Sequence, residues 1–303
     1  MLIQKLIRYA RDPKYRFLVN ASKGFLNRLS DEEFIHRKFR VVMGCEPNLE
    51  EPKTFNEKLQ WLKLYDHNPK YTDLVDKEKV KEYVSKQIGR EYVIPTLGVW
   101  DSFEEIDFDA LPDQFVLKCT HDSGGLVICK DKSRLDKEAA KQKIDHCLTR
   151  NFFYYGREWP YKNVKPRILA EPYLEDAHGE LNDYKIMCFG GEVKCSFVCT
   201  DRFNGKGLKV TFFDKDWERM TFERHYPASS EVIDKPEQYE EMCRLAEILS
   251  EGIPFVRVDF YDLDGKVLFG EMTFFPGGGF EEFTPEEWDR TLGDWIVLPP
   301  KQR

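Results

Sequence analysis

Residues 255–275 decide the fold: Phe255-Val256-Arg257-Val258-Asp259-Phe260-Tyr261, then Asp262-Leu263-Asp264-Gly265, then a second run from Lys266 to Phe275. In the first run alternation puts Val256, Val258 and Phe260 on one face of a strand and Arg257, Asp259 and Tyr261 on the other. The polar face should line something wet. Asp262 to Gly265 is turn chemistry, so the second run returns as a strand carrying Glu271 and Thr273. With a three-residue loop, 263–265, and Gly265 left-handed, Asp262 pairs with Lys266 and Arg257 falls opposite Glu271. Asp259 is then one diagonal step from Glu271, roughly 7–8 Å along the backbone, and the two carboxylates can share a divalent cation. A loop of two or four residues would put them on opposite faces. The alternative is a surface hairpin whose charged face is merely solvated.

Outward from this hairpin, short β-type runs occur at Phe115–Cys119, Leu126–Cys129, Arg167–Ala170, Tyr184–Phe189, Val193–Cys199 and Lys209–Phe213. Helical patterns at Lys137–Arg150 and Pro236–Glu251 interrupt them. The first third reads as helical. Ser30 with Glu33 and Thr54 with Glu57 are capping-box spacings, the first helix stopping at Gly44, and a third helix fits Thr72 to Gln87. Only two helices interrupt this run of strands, so the pattern is not an alternating βαβ one and the chain reads as α+β with mostly antiparallel sheets.

The chain has 303 residues, 41% of them apolar and 14% aromatic, enough core for two or three lobes around a cleft. A net charge of −8 with a sequence pI near 5.5 excludes a nucleic-acid partner, because binding a phosphate backbone needs a basic surface. The charge is uneven: residues 1–44 hold ten Lys/Arg against four Asp/Glu, a balance of +6 that leaves −14 for the rest. No apolar run approaches the ~20 residues of a membrane span, and Met1 to Tyr9 is too broken by charge for a signal peptide. A cytoplasmic location is expected. The eight cysteines include no CxxC pair, and Cys195 and Cys199 have no nearby histidine, so they read as free buried thiols in a reducing compartment.

Lys118-Cys119-Thr120-His121-Asp122-Ser123-Gly124-Gly125-Leu126 joins two of the strands through a polar loop ending in two glycines. Such a loop can fold over phosphates with exposed backbone N–H groups. Taken alone it also reads as an ordinary hairpin turn, and His121 as a loop histidine.

Together these segments resemble the ATP-grasp superfamily. In order, they are Asp76-Lys77, Ile94-Pro95, the strand into Lys118 with its flap, Ile168-Leu169-Ala170-Glu171-Pro172-Tyr173-Leu174, and Arg257-x-Asp259 followed by Glu271-x-Thr273. Pro52 to Trp61, Lys118 to Gly125 and Tyr155 to Tyr161 are more closely similar to the TupA-like ATP-grasp proteins, a branch associated with bacterial surface polysaccharide and teichuronopeptide synthesis. The resemblance spans roughly residues 30–295. It implies an ATP-grasp fold of two α+β subdomains with antiparallel sheets gripping ATP, preceded by a helical region. Its divisions would be a basic helical region at 1–50, a helical pre-grasp region at 51–112, a subdomain with the Gly-rich flap at 113–175 and one with the Mg²⁺ site at 176–303. The implied reaction is ATP-dependent amide formation between a carboxylate and an amine through an acyl phosphate.

The resemblance also implies roles. Lys77 and Lys118 would neutralise the ATP phosphates, with flap N–H groups from Ser123, Gly124 and Gly125. Glu171 and the backbone of Tyr173 and Leu174 would read adenine, while Asp183 would hold the ribose or a metal-bound water. Lys185 would reach the phosphates, Arg257 would stabilise the reacting acyl group, and Asp259 and Glu271 would ligate Mg²⁺. Two departures stand out: Thr273 replaces the usual Asn as third ligand, and residues 1–90 read as helices where the superfamily has a nucleotide-fold lobe.

Substrate clues lie in Tyr154, Tyr155, Arg157, Trp159 and Tyr161, aromatics around a cation as in sugar-binding surfaces, although such a patch is more often part of the core. Arg157 and Arg202 would each clamp a carboxylate, and Gly277 and Gly278 would bring backbone amides to the acceptor. The expected substrates are a carboxylate and an amine of a glycan precursor. The rival readings are a glycan kinase and a nucleotide-binding partner of a glycosyltransferase complex. Residues 1–29, with Leu2, Leu6, Ile7 and Tyr9 on one helix face, are expected either to touch the inner membrane surface peripherally or to pack on the acidic remainder of the chain.

Overall fold

The computed structural model describes residues 2–175, 182–201 and 207–301. In chain order its helices are α1 (Leu2–Arg11), α2 (Pro13–Ser22), α3 (Asp31–Met43), α4 (Phe55–Tyr65), α5 (Lys70–Val75), α6 (Lys79–Gln87), α7 (Lys137–Leu148), α8 (Phe153–Gly156), α9 (Tyr239–Ser250) and α10 (Glu287–Trp295). Strands β1 (Gly98–Trp100), β2 (Phe115–Cys119), β3 (Leu126–Cys129) and β4 (Ile168–Pro172) form an antiparallel sheet in the order β1-β4-β2-β3. Strands β5 (Asn182–Phe189), β6 (Glu192–Thr200), β7 (Lys209–Asp214), β9 (Phe255–Leu263) and β10 (Lys266–Thr273) form a larger one ordered β10-β9-β5-β6-β7. Two short strands, β8 (Glu223–Arg224) and β11 (Phe283–Thr284), pair separately.

The larger sheet is two-faced for the reason its sequence gives. Val256, Val258 and Phe260 are fully buried, as are Met242, Leu245, Ala246 and Leu249 of α9, which covers that face. Each such side chain contributes roughly 1.5–3 kcal/mol. The opposite face is left to Arg257, Asp259 and Tyr261.

The β9–β10 turn differs from the expected one. Lys266 pairs with Leu263, so the loop is the two-residue Asp264-Gly265, both residues at positive φ (52° and 84°). Such a register would throw Asp259 and Glu271 onto opposite faces. A bulge at Gly270 restores them, since the pairing shifts between Phe269 and Glu271 and sets Glu271 directly opposite Asp259 and Thr273 opposite Arg257.

The third expected helix also divides, into α5 and α6. Asp76 Oδ1 accepts the N–H groups of Glu78 and Lys79 and so starts a new helix, while the Lys77 N–H donates to the Thr120 carbonyl in the flap loop.

Pro52 to Trp61 opens α4, where Thr54 and Glu57 make a complete capping box. The side chains that follow hold the C-terminal segment through its backbone. Asn56 pairs with both the N–H and the carbonyl of Glu281 (2.8 Å each), and Lys58 Nζ donates to the carbonyls of Gly293 and Ile296 (2.8 Å each). Gln60 Nε2 donates to the Gly279 carbonyl at 2.6 Å, and buried Lys63 donates to those of Gly156 and Gly278 at 2.9 and 2.5 Å. Gly277, Gly278 and Gly279 all have positive φ, and a Cβ on Gly279 would sit 2.5 Å from the Gln60 amide. This glycine run is a turn held through its carbonyls by α4. Burial pulls the Lys63 ammonium down to about 7 and the Lys38 ammonium to about 8, while it pushes the Glu158 carboxyl between them up.

Candidate functional site

A cavity of about 380 Å³ opens between the two sheets. One wall holds Lys77 and Lys81 at the α5–α6 junction, Lys118 at the end of β2, Glu171 on β4 and the flap residues Asp122, Ser123 and Gly125; the other holds Asp183, Lys185, Arg257, Asp259, Tyr261, Gly270 and Glu271.

Sheet register explains the second wall. Lys185 on β5 pairs with Asp259 on β9, which pairs with Glu271 on β10, so three polar side chains form one row across adjacent strands. Lys185 Nζ donates to Asp183 and Asp259 at 2.5 and 2.7 Å. The Arg257 guanidinium grips Asp259 through two hydrogen bonds of 2.6 and 2.7 Å and reaches Glu271 and Thr273 at 2.9 Å each. Burial alone would raise the Asp259 carboxyl, but Arg257 and then Lys185 more than offset it and hold the group below the usual carboxylate range. Burial is the largest influence on Lys185 and lowers it, but Asp259 and Asp183 together more than offset it, so the ammonium is held above its ordinary value.

On the first wall Glu171 accepts from Lys118 and Lys81 at 2.5 Å each. Its burial is outweighed by Lys118 and then Lys81, and it stays ionised below the ordinary range. Lys77 Nζ donates to the Asp122 carbonyl. Asp122 Oδ1 accepts the N–H groups of Gly124 and Gly125 at 3.3 and 2.9 Å, so these two flap amides are held by the flap itself and are not free for a phosphate in this conformation. His121 is a loop residue, its Nε2 facing the carbonyls of Cys147 and Arg150 at 3.0 and 3.1 Å.

The cavity thus collects Lys77, Lys118, Ser123, Gly125, Glu171, Asp183, Lys185, Arg257, Asp259 and Glu271. Thr273 joins the group through Arg257 and Glu271. Gly124 lines a neighbouring cavity. Tyr173 and Leu174 follow β4 outside the cavity lining, with Lys130 over the Tyr173 ring at 4.9 Å.

Arg157, expected as a carboxylate clamp, lies outside the cavity lining. It is 2% exposed, with its guanidinium against the Phe34 ring and Nη2 donating to the carbonyls of Leu26 and Leu29 at 3.1 and 3.2 Å. Its guanidinium is committed to the N-terminal turn in this conformation. Trp159 stacks on His67 at 4.9 Å, away from the cavity. Gly277 and Gly278 belong to the turn held by α4, and Arg202 lies outside the described residues.

Lys81 escaped the sequence reading although it stands one helical turn after Lys77, a spacing that puts both on one face. Gly270, a lone glycine inside a strand pattern, was the available signal for the bulge. A Cβ there would lie 3.1 Å from the Asp259 carbonyl oxygen.

Two antiparallel sheets closed over a cavity, with lysines on one and a carboxylate hairpin on the other, define an ATP-grasp fold. The chain belongs to the TupA-like ATP-grasp family, which it matches over residues 57–297. No curated protein matches it. Among solved structures it is similar to D-alanine–D-alanine ligase from Bacillus anthracis complexed with ATP, at 15% identity and a TM-score of 0.42, covering 74% of this chain and 63% of that one. It is also similar to the ATP-grasp ligase PsnB complexed with a minimal-precursor variant, Mg and ADP, at 12% identity and a TM-score of 0.41, covering 84% and 65%. The chain therefore spans under two thirds of either ligase.

Proposed function

We propose that this chain is an ATP-dependent ligase that joins a carboxylate to an amine, with MgATP in the cavity between the sheets. The observation that carries the reading is the opposition of Lys77, Lys81 and Lys118 on one wall to the Asp259–Glu271 pair on the other. Polyphosphate has the charge to draw the lysines from Glu171 and the Asp122 carbonyl. A divalent cation suits the other side: Asp259 and Glu271 face each other across one strand pair, and the Glu271 side chain is 46% exposed toward the cavity. Both would hold Mg²⁺, with Thr273 beside them as a weak hydroxyl donor in place of a third strong ligand. Bound there, the ion would offset charge on the phosphates.

In this reading the carboxylate oxygen takes the terminal phosphoryl group and ADP departs. The amine nitrogen then displaces phosphate from the acyl carbon and releases a proton. Lys118, Lys77 and Lys81 neutralise the phosphates, Lys185 bridges Asp183 and Asp259, and Arg257 turns from Glu271 toward the acyl oxygen that gains charge. The carboxylate is proposed to sit on a surface-glycan precursor, the substrate class expected from the sequence resemblance alone. Leu6 and Ile7 of α1 are 61% and 49% exposed beside Lys5, Arg8 and Arg11, which supports peripheral contact with an anionic membrane. No helix among the described residues is long and apolar enough to cross one.

The test is ADP release over a panel of uronic and amino acids, with and without an amine. Release that requires both partners and yields an amide by mass spectrometry is expected. A phosphorylated product formed without amine would make the chain a kinase instead.

A further inference from the structure

A second cavity, about 470 Å³, lies on the far side of the flap and shares Asp122 and Ser123 with the first. Its walls come from three places: the end of α2 and the turn after it (residues 21–27), the flap tip, and the segment between α7 and α8. The buried side chains around it hold those walls in place. Arg157 binds the turn through the Leu26 and Leu29 carbonyls, Lys38 donates to the Tyr155 carbonyl at 3.0 Å, and His121 ties the end of α7 to the base of the flap. The cavity is a consequence of the fold.

Its lining has a definite chemistry. Lys23 and Arg150 are exposed cations, and neither pairs with a carboxylate among the described residues. Asp122, the acid of the lining, already accepts two flap N–H groups. Phe152 and Tyr155 stack with ring centroids 6.1 Å apart, Lys38 Nζ lies over the Tyr155 ring at 4.7 Å, and Tyr155 is 44% exposed. Asn27 adds an exposed amide. Positive charge beside the exposed edge of an aromatic pair suits an anion carried on a ring.

We infer that this cavity holds the acyl-donor substrate, a carboxylate borne on a six-membered ring, and that the flap tip at Ser123 is the point where it meets the nucleotide. This rests on the ligase reading and adds the place and shape of its first substrate. Residues 21–27 precede the segment that matches the family, so this wall is supplied by a part of the chain that does not define the family. Lys23 and Arg150 offset the carboxylate charge, and the exposed edge of the Phe152–Tyr155 pair borders the ring.

The chemistry is shared by carboxylated sugars and by aromatic carboxylates, so the experiment uses both. D-glucuronate, benzoate, uncharged D-glucose and ringless acetate are titrated into the full chain by saturation-transfer NMR, with and without AMPPNP and Mg²⁺. The expected result is that one ring carboxylate binds well ahead of glucose and acetate, and that Lys23→Ala and Arg150→Ala each weaken it about tenfold or more while AMPPNP affinity stays within about twofold. Both substituted side chains are exposed, so folding should survive, and thermal melting checks it. No binding of either ring carboxylate, or binding that both variants leave intact, overturns the inference; acetate binding as well as the ring compounds removes its ring specificity. The titrations without nucleotide keep it separate from the ligase reading, which fails if AMPPNP itself does not bind.

Discussion

Two regions of this chain are crowded with charge and glycine, and in sequence they look alike. One is the β9–β10 hairpin with Lys185; the other is the brace formed by residues 53–63 and the Gly277–Gly279 turn. In the brace the polar side chains end on backbone: Asn56 on Glu281, Lys58 on Gly293 and Ile296, Gln60 and Lys63 on the glycine carbonyls. In the hairpin they end on one another, Arg257 on Asp259 and Glu271, and Lys185 on Asp183 and Asp259, around a cavity. Backbone partners cannot be exchanged without unfolding. Side-chain partners at the rim of a cavity can be exchanged for a ligand, which is how chemistry and stability come to be divided between the two regions.

Substitution on each side should separate those outcomes. Asp259→Asn removes the partner of both Arg257 and Lys185, and MgATP turnover should fall on the order of 10³-fold or more, read as ADP release. Turnover near the wild-type rate would remove Asp259 from the site. Lys63→Met leaves the carbonyls of Gly156 and Gly278 without their buried ammonium donor and should cost roughly 1–3 kcal/mol of stability by urea denaturation. The folded fraction should still bind AMPPNP normally, and a loss of affinity without a loss of stability would place the brace in the site.

Lys118→Ala should weaken AMPPNP by roughly 1.5–3 kcal/mol in calorimetry, with little change in melting temperature because Lys81 still neutralises Glu171. Gly270→Ala crowds the Asp259 carbonyl and the Tyr261 ring. About 1–2 kcal/mol of strain is expected there, with a matching weakening of Mg²⁺-dependent binding and no effect on the brace.

The smallest effect is on pH dependence. Lys38 is held near 8 by burial against an ordinary 10.5. Between those values the folded chain binds fewer protons than the unfolded one, so this group makes stability rise with pH through that window. Denaturation midpoints at about pH 7.5 and 9.5 should rise more in wild type than in Lys38→Met. An equal change in both would show that Lys38 titrates normally.

Much of this was legible in the sequence. Alternation named both faces of β9, and the Lys118 and Gly124-Gly125 spacing marked the flap, because period-two patterning and turn residues act locally. The register was harder: the lone Gly270 marks a possible bulge but does not fix the pairing, and the expected three-residue turn gave the right faces through the wrong pairing. Arg157 and Gly277–Gly278 were hard to read for a common reason. Sequence shows that a cation or a glycine is present, whereas its role depends on distant partners: Leu26 and Leu29 for Arg157, Gln60 and Lys63 for the glycines.

The hairpin's assignment as a metal-dependent nucleotide site comes down to calorimetry of AMPPNP with and without Mg²⁺ on wild type and Glu271→Gln. Glu271 is the half-exposed member of the pair, so its replacement should leave the fold and Mg²⁺-free affinity within about twofold. The expected result is that Mg²⁺ strengthens binding to wild type and that Glu271→Gln loses most of that gain. An equal Mg²⁺ gain in both proteins would contradict it and place the ion, and the reaction, somewhere other than between these two strands.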